Sequence, residues 1–340
     1  MSEVSSSQHP IGRIAYIDAV KAICIFLMVV GHYSRNTIIL SYIYVFHMPA
    51  FLIVSGFLYR PHPWKKTIAA FSFPVIVFSL INLVVSLLLG RISIDHLTLQ
   101  YVVIHIIEWR HGFSVRFFEG VWFIWVLAGL RLLFGDISGS RAGRKVYISI
   151  AITMIAYMTF EKSLVSMDTL FKGYYIGLII PSLPFFCIGM FLKEIRWEPK
   201  NIESAKFIVP LVIMFLLVPL TNNYCDIYNG NYGYSYLIAV VVATLFTLLL
   251  SWLASKLPPS RFIETISKGT LVVLGLHMTI FQILCSILPD TVDFLFPFIT
   301  IVICYYAIVF CEKYCPILLG KVKSQNNCSF SEKVARGNEE

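Results

Sequence analysis

Apolar runs recur along nearly the whole chain, from Val20 to Phe310, and leave no stretch between them long enough to bury a core of its own. A membrane span needs about 20 apolar residues. Ten segments meet or approach that length: 14–33, 42–59, 68–89, 118–134, 146–160, 174–192, 207–220, 235–255, 269–288 and 294–312, of which the fifth and seventh are short. Charged residues make up only 14% of the 340, against roughly 25% in an ordinary soluble chain. The solvent is therefore lipid. The predicted fold is an all-α, polytopic integral membrane bundle of about ten helices. One membrane domain, residues 14–312, lies between an N-terminal segment, 1–13, and a tail, 313–340, whose polar composition predicts partial disorder.

A net charge of +8 raises nucleic acid as a partner, but the basic residues come in short clusters between apolar runs rather than on one soluble face. Topology explains them better. With alternating helices and a cytoplasmic N-terminus, twenty of the 27 Lys and Arg fall inside, in clusters such as Arg60, Lys65 and Lys66 or Arg141, Arg144 and Lys145. Six fall outside, and Lys21 lies within the membrane. This agrees with the positive-inside rule and predicts that both termini are cytoplasmic, in the cell (inner) membrane. The eight cysteines lack Cys-x-x-Cys or zinc spacing, so neither a disulfide scaffold nor a metal site is expected. The first apolar run holds Lys21 and lacks a small-residue cleavage site, so no signal-peptide cleavage is expected.

Two predicted external loops stand out. In the segment from Arg91 to Phe117, the apolar middle, Leu97 to Trp109, suits an interfacial or re-entrant helix. The segment from Thr221 to Tyr234 is rich in Asn, Gly and Tyr, which suits sugar stacking and equally an interface-anchored loop.

The first helix carries Asp18, Lys21 and His32 in an otherwise apolar run. A charged group at the membrane centre costs about 2.5 to 3.5 kcal/mol on insertion scales, so something must offset these. Lys21 and His32 are eleven residues apart, which at about 100° per residue returns within roughly 20° of one face and at about 1.5 Å per residue separates them by roughly 16 Å. Asp18 lies about 60° from Lys21 on the same side. A cation at the inner mouth can hold an anionic donor, and a neutral imidazole farther along can deprotonate a hydroxyl. The plainer reading pairs Asp18 with Lys21, lets Lys21 snorkel and leaves His32 capping the helix.

The second helix contains Phe46-His47-Met48-Pro49 and Ser55-Gly56-Phe57. His47 either shares a site with His32 or bonds backbone freed by Pro49. Ser55 and Gly56 read as close helix packing. Glu119, beside Trp122 at the outer start of the fourth helix, could orient an imidazole or bind a sugar hydroxyl; it also suits a solvated helix start. His277, in mid-helix, is either a lining group or a core histidine bonded to another helix, while Asn82 and Gln282 read as interhelical glue.

Tyr16-Ile17-Asp18-Ala19-Val20-Lys21 followed by Gly31-His32, with Phe46-His47-Met48-Pro49 and Ser55-Gly56-Phe57-Leu58, resembles the acyltransferase 3 family, in its polysaccharide O-acetyltransferase branch. Gly120-Val121-Trp122-Phe123 and Leu274-Gly275-Leu276-His277 resemble later family segments less specifically. Lys21 stands where the family often has Arg, a point charge replacing a bidentate fork. The resemblance implies a membrane-bound acyltransferase with acyl-CoA, such as acetyl-CoA, as co-substrate and no permanently bound cofactor. It further implies Lys21 in donor binding, where Asp18 is assigned too, His32 as catalytic base and a carbohydrate or lipid-linked sugar acceptor of the cell envelope. His47, Glu119, Trp122 and His277 stand as acceptor or supporting residues. The rival is a secondary transporter or flippase for an envelope glycan precursor, whose buried Asp18, Lys21, His32 and His277 would line a path; a non-catalytic scaffold is the third class. The rival's marks are weak, because no pair of Gly/Pro-broken helices in matching halves is evident.

Overall fold

A computed structural model of the chain describes residues 14–34, 36–99, 121–135, 141–160, 175–199 and 234–321, with scattered positions between 209 and 218. Every regular element among the described residues is helical. In chain order these are α1 (Ala15–Tyr33), α2 (Thr37–Phe57), α3 (Trp64–Leu88), α4 (Trp122–Phe134), α5 (Arg141–Phe160), α6 (Tyr175–Glu194), α7 (Tyr234–Ala254), α8 (Arg261–Lys268), α9 (Thr270–Ile287) and α10 (Phe296–Tyr314), with short 3-10 turns beside them. Among the described residues seven helices are long and apolar enough to cross a membrane; α4 and residues 145–159 of α5 are shorter apolar helices.

The burial pattern is that of a membrane protein, with polar groups inside and apolar ones outside. On α3, Ile76, Leu80, Val84 and Leu88 form an exposed stripe at four-residue spacing, with Leu88 79% exposed, while Ser79, Asn82 and Ser86 on the other face are buried. Lipid wets the apolar stripe at no cost, whereas the polar stripe must find partners in protein. It finds them on α9. Thr279 donates to Asn82 Oδ1 at 2.6 Å and Ser86 donates to Gln282 Oε1 at 3.1 Å, so the two amides do join helices.

The helix ends follow local chemistry. Asn36 caps α2 by accepting from the amides of Ile38 and Ile39 at 3.0 and 3.2 Å, which starts the helix at Thr37 rather than the expected 42. Helix α3 likewise starts four residues early, directly after Pro63. The expected short fifth span gains a basic first turn and runs 20 residues from Arg141. Helix α8, short and amphipathic, was not anticipated; it sits between two spans and carries polar groups toward α1. The seventh expected span, 207–220, falls outside the described residues except for a few helical positions.

Backbone approach is closest between α2 and α6. A Cβ added to Gly56 would lie 2.0 Å from the Phe186 carbonyl oxygen, and one on Gly189 would lie 1.8 Å from that of Ile53. Only glycine at both positions lets the two backbones touch. Helices α1, α3 and α9 run in the same direction. Phe78 packs at Gly275, Asn82 meets Thr279 and Ser86 meets Gln282, so the two helices advance together.

Candidate active site

At the start of α1, Lys21 donates to the carbonyl oxygen of Ser267, at the end of α8, at 2.6 Å, and Ser267 Oγ donates to Asp18 Oδ1 at 2.6 Å. Lys21 and Asp18 thus grip the same serine. They face different spaces. Lys21 lines a cleft of about 250 Å³ with Ser55, His62, Lys66, Arg131, Lys268 and Thr270, closed on one side by Leu319 and Gly320. Asp18 lines a larger cleft, about 760 Å³, with Arg261, Glu264, Tyr305 and Glu312. Lys268 borders both and pairs with Glu264 at 2.6 Å.

The Lys21 cleft is strongly basic, and among the described residues its lining holds no carboxylate. Arg131 rises from the apolar helix α4, its guanidinium 5.4 Å from the centre of the Phe71 ring and its buried Nε without a hydrogen-bond partner. His62, in the loop before α3, is held below the ordinary imidazole value by partial burial first, then by Lys66, Arg131 and Arg60. That depression reports a positive field, since each neighbouring cation disfavours a further charge. A cleft of this kind suits a polyanionic head group. Sequence reasoning assigns Lys21 and Asp18 to the donor and counts Lys66, Arg131 and Lys268 only among the basic clusters that set topology. Arg131 was findable, because an ionisable residue inside an apolar run is a functional candidate by default.

At the far end of α1, His32 is half-buried and its ring lies 5.0 Å, centre to centre, from that of His277 on α9, tilted by 45°. The match follows from the parallel run of α1 and α9: eleven residues beyond Lys21 and ten beyond Ser267 are both about 15–16 Å of rise. His277 is fully buried. Its Nδ1–H donates to the carbonyls of Val273 at 2.9 Å and Leu274 at 3.1 Å, within its own helix, and its Nε2 has no partner. So His277 bonds its own backbone rather than another helix.

His47 is buried at 2% exposure, and its Nδ1–H donates to the Ile43 carbonyl at 2.6 Å. That carbonyl is not one freed by Pro49, which removes the donor to residue 45. The His47 ring lies 5.3 Å from that of Tyr44, whose hydroxyl reaches the Gly31 carbonyl at 3.3 Å. His32 stands within electrostatic range of both His47 and His277, so three imidazoles from α1, α2 and α9 gather about one level of the bundle.

Next to His32, Tyr33 bonds Thr300 of α10 at 2.5 Å and sets its ring edge-on to Phe281 and Phe296. These contacts fix the last turn of α1. Trp122 opens α4 and packs edge-on to Phe123 at 5.6 Å. Glu119 and the two external loops singled out above, Leu97–Trp109 beyond Leu99 and Thr221–Tyr234 before Tyr234, lie outside the described residues. Six cysteines, among them Cys24 and Cys304, are free among the described residues.

The comparison with known families matches residues 14–311 to the acyltransferase 3 model, described as an acyltransferase domain. No curated protein and no solved structure matches the chain. The matched span runs from the residue before α1 to within the last turns of α10 and holds the basic cleft's helices and all three imidazoles, so this multi-pass membrane protein belongs to the acyltransferase 3 family.

Proposed function

We propose that the protein moves an acyl group, acetyl in the simplest case, from acyl-CoA to a hydroxyl of a cell-envelope carbohydrate or lipid-linked sugar. The observation that carries this reading is the run of α1 from a basic cleft at Lys21 to an imidazole cluster at His32. The donor's phosphates sit among Lys21, Lys66, Arg131 and Lys268, on the cytoplasmic side, and its thioester arm follows α1 into the bundle. Asp18 faces the other cleft and is linked to Lys21 through Ser267, as a positioning residue.

His32 takes the proton of the acceptor hydroxyl as its oxygen attacks the thioester carbonyl. The new C–O bond forms, the C–S bond breaks, and His32 returns the proton to the departing thiolate. Enclosure by helices keeps water from competing for the thioester. The test is transfer from a labelled donor by the full-length protein. His32→Ala should lower kcat by about 10²- to 10⁴-fold, and Lys21→Ala should raise the donor KM with a smaller effect on the acceptor. Undiminished transfer by folded His32→Ala protein would reject the reading.

A further inference from the structure

We infer that His277 is the positioning residue of this site: its Nε2 accepts the second N–H of the His32 imidazolium that forms as the acceptor hydroxyl is deprotonated. This rests on the reading of His32 as base and deepens it. A base that gains a proton inside a lipid-embedded bundle becomes a cation in a medium that solvates it poorly, and its other N–H then needs an acceptor. In many hydrolases that acceptor is a carboxylate. Here no Asp or Glu among the described residues contacts His32, and Asp18 lies at the opposite end of α1. The group in ring contact is an imidazole.

Three observations give that imidazole the required form. Its Nδ1–H is spent on the carbonyls of Val273 and Leu274, which leaves Nε2 as a bare lone pair and bars the tautomer that would donate toward His32. Nε2 is buried and has no hydrogen-bond partner. Orphaned buried acceptors are uncommon and call for a reason. The third observation is direction. Gly275, Thr279 and Gln282 meet α3, at Phe78, Asn82 and Ser86. At about 100° per residue His277 is roughly 140–160° from each of them, so it leaves the polar seam of α3 and looks toward α1. Its orphaned nitrogen is therefore separate from the orphaned amide groups of Asn82 and Gln282.

In the resting structure the two rings touch without a hydrogen bond. Turning the His32 ring about its Cβ–Cγ bond is the motion that would bring its N–H toward the His277 Nε2. The proton balance is unchanged: one nitrogen of His32 takes the hydroxyl proton and later gives it to the thiolate, while the other keeps its own proton throughout and shares it with His277 as a charge-assisted hydrogen bond.

The experiment compares His277→Ala, His277→Gln and His277→Phe in the full-length protein, with kcat and both KM values read from labelled-donor transfer. Glutamine can present an oxygen near the place of Nε2, whereas phenylalanine fills the space with no acceptor. Expected is a fall of roughly 10²-fold or more in kcat for His277→Ala and His277→Phe, KM values within about threefold, and recovery of about tenfold in His277→Gln. If His277→Ala does not fold, the Gln-to-Phe ratio alone decides. Equal kcat in the Gln and Phe variants, or wild-type kcat in His277→Ala, overturns the inference while a His32-dependent wild-type enzyme leaves the proposed function standing. Recovery in His32→Gln with none in His277→Gln would exchange the two roles and also overturn it. Failure of the wild type to transfer acyl groups at all would instead reject the underlying reading.

Discussion

The two ends of α1 follow opposite electrostatic plans. Around Lys21 the protein gathers cations in a cleft whose lining has no carboxylate among the described residues, with Lys66 and His62 exposed. Around His32 it gathers imidazole rings, two of them fully or almost fully buried, each with Nδ1–H donated to a carbonyl of its own helix. The difference teaches how one helix can divide labour. Formal charge is cheap only where water reaches it, so recognition of a charged head group belongs at the helix mouth. Proton transfer inside the bundle needs groups that can be neutral between turnovers, and imidazole meets that need.

The strongest way to break the comparison is to disturb both regions at once. Helix α2 carries Ser55 into the basic cleft and His47 into the imidazole cluster, and it is seated by Gly56 against α6. Gly56→Val would put a branched side chain where a single Cβ already meets the Phe186 carbonyl at 2.0 Å. Because backbone cannot yield as a side-chain tip does, the cost should be about 3 kcal/mol or more, at the upper end of overpacking effects. Thermal unfolding in detergent should show a clear loss of stability, with transfer lost too; a wild-type midpoint would mean the helices can part freely.

A smaller effect sharpens the division. Arg131→Gln removes a guanidinium from the cleft and leaves the imidazoles untouched. One charge-assisted hydrogen bond to a phosphate is worth about 1.5–3 kcal/mol, or roughly 10- to 100-fold in donor affinity. The donor KM should rise by that factor with kcat nearly unchanged. A fall in kcat alone would show that the two ends are not separate.

The smallest effect is a pH dependence. Partial burial and neighbouring cations hold His62 below the ordinary imidazole value, so an anion that neutralises the cleft raises it and binding takes up a proton. The sign follows: anion affinity should increase as pH falls below the ordinary imidazole range and be flat above it. Sulfate, whose charge is constant there, is a suitable probe, read by NMR of the His62 ring. The slope should vanish in His62→Gln, and a slope that persists would place the titrating group elsewhere.

Much of the architecture was written in the order of residues. Apolar run length pointed to the seven membrane-length helices among the described residues, because a helix satisfies its own backbone hydrogen bonds in lipid. The spacing of Lys21 and His32 set their separation, since an α-helix has fixed rise and twist. Boundaries were less legible where capping decided them, as at Asn36, and α8 was missed because eight residues give no span-length signal. Which side chains meet was not written there at all. The sequence could name His277 and Arg131, but only packing could bring one against His32 and turn the other into the cleft beside Lys21. Such encounters join residues far apart along the chain, and they depend on the direction, register and rotation of whole helices against one another, none of which a local pattern encodes.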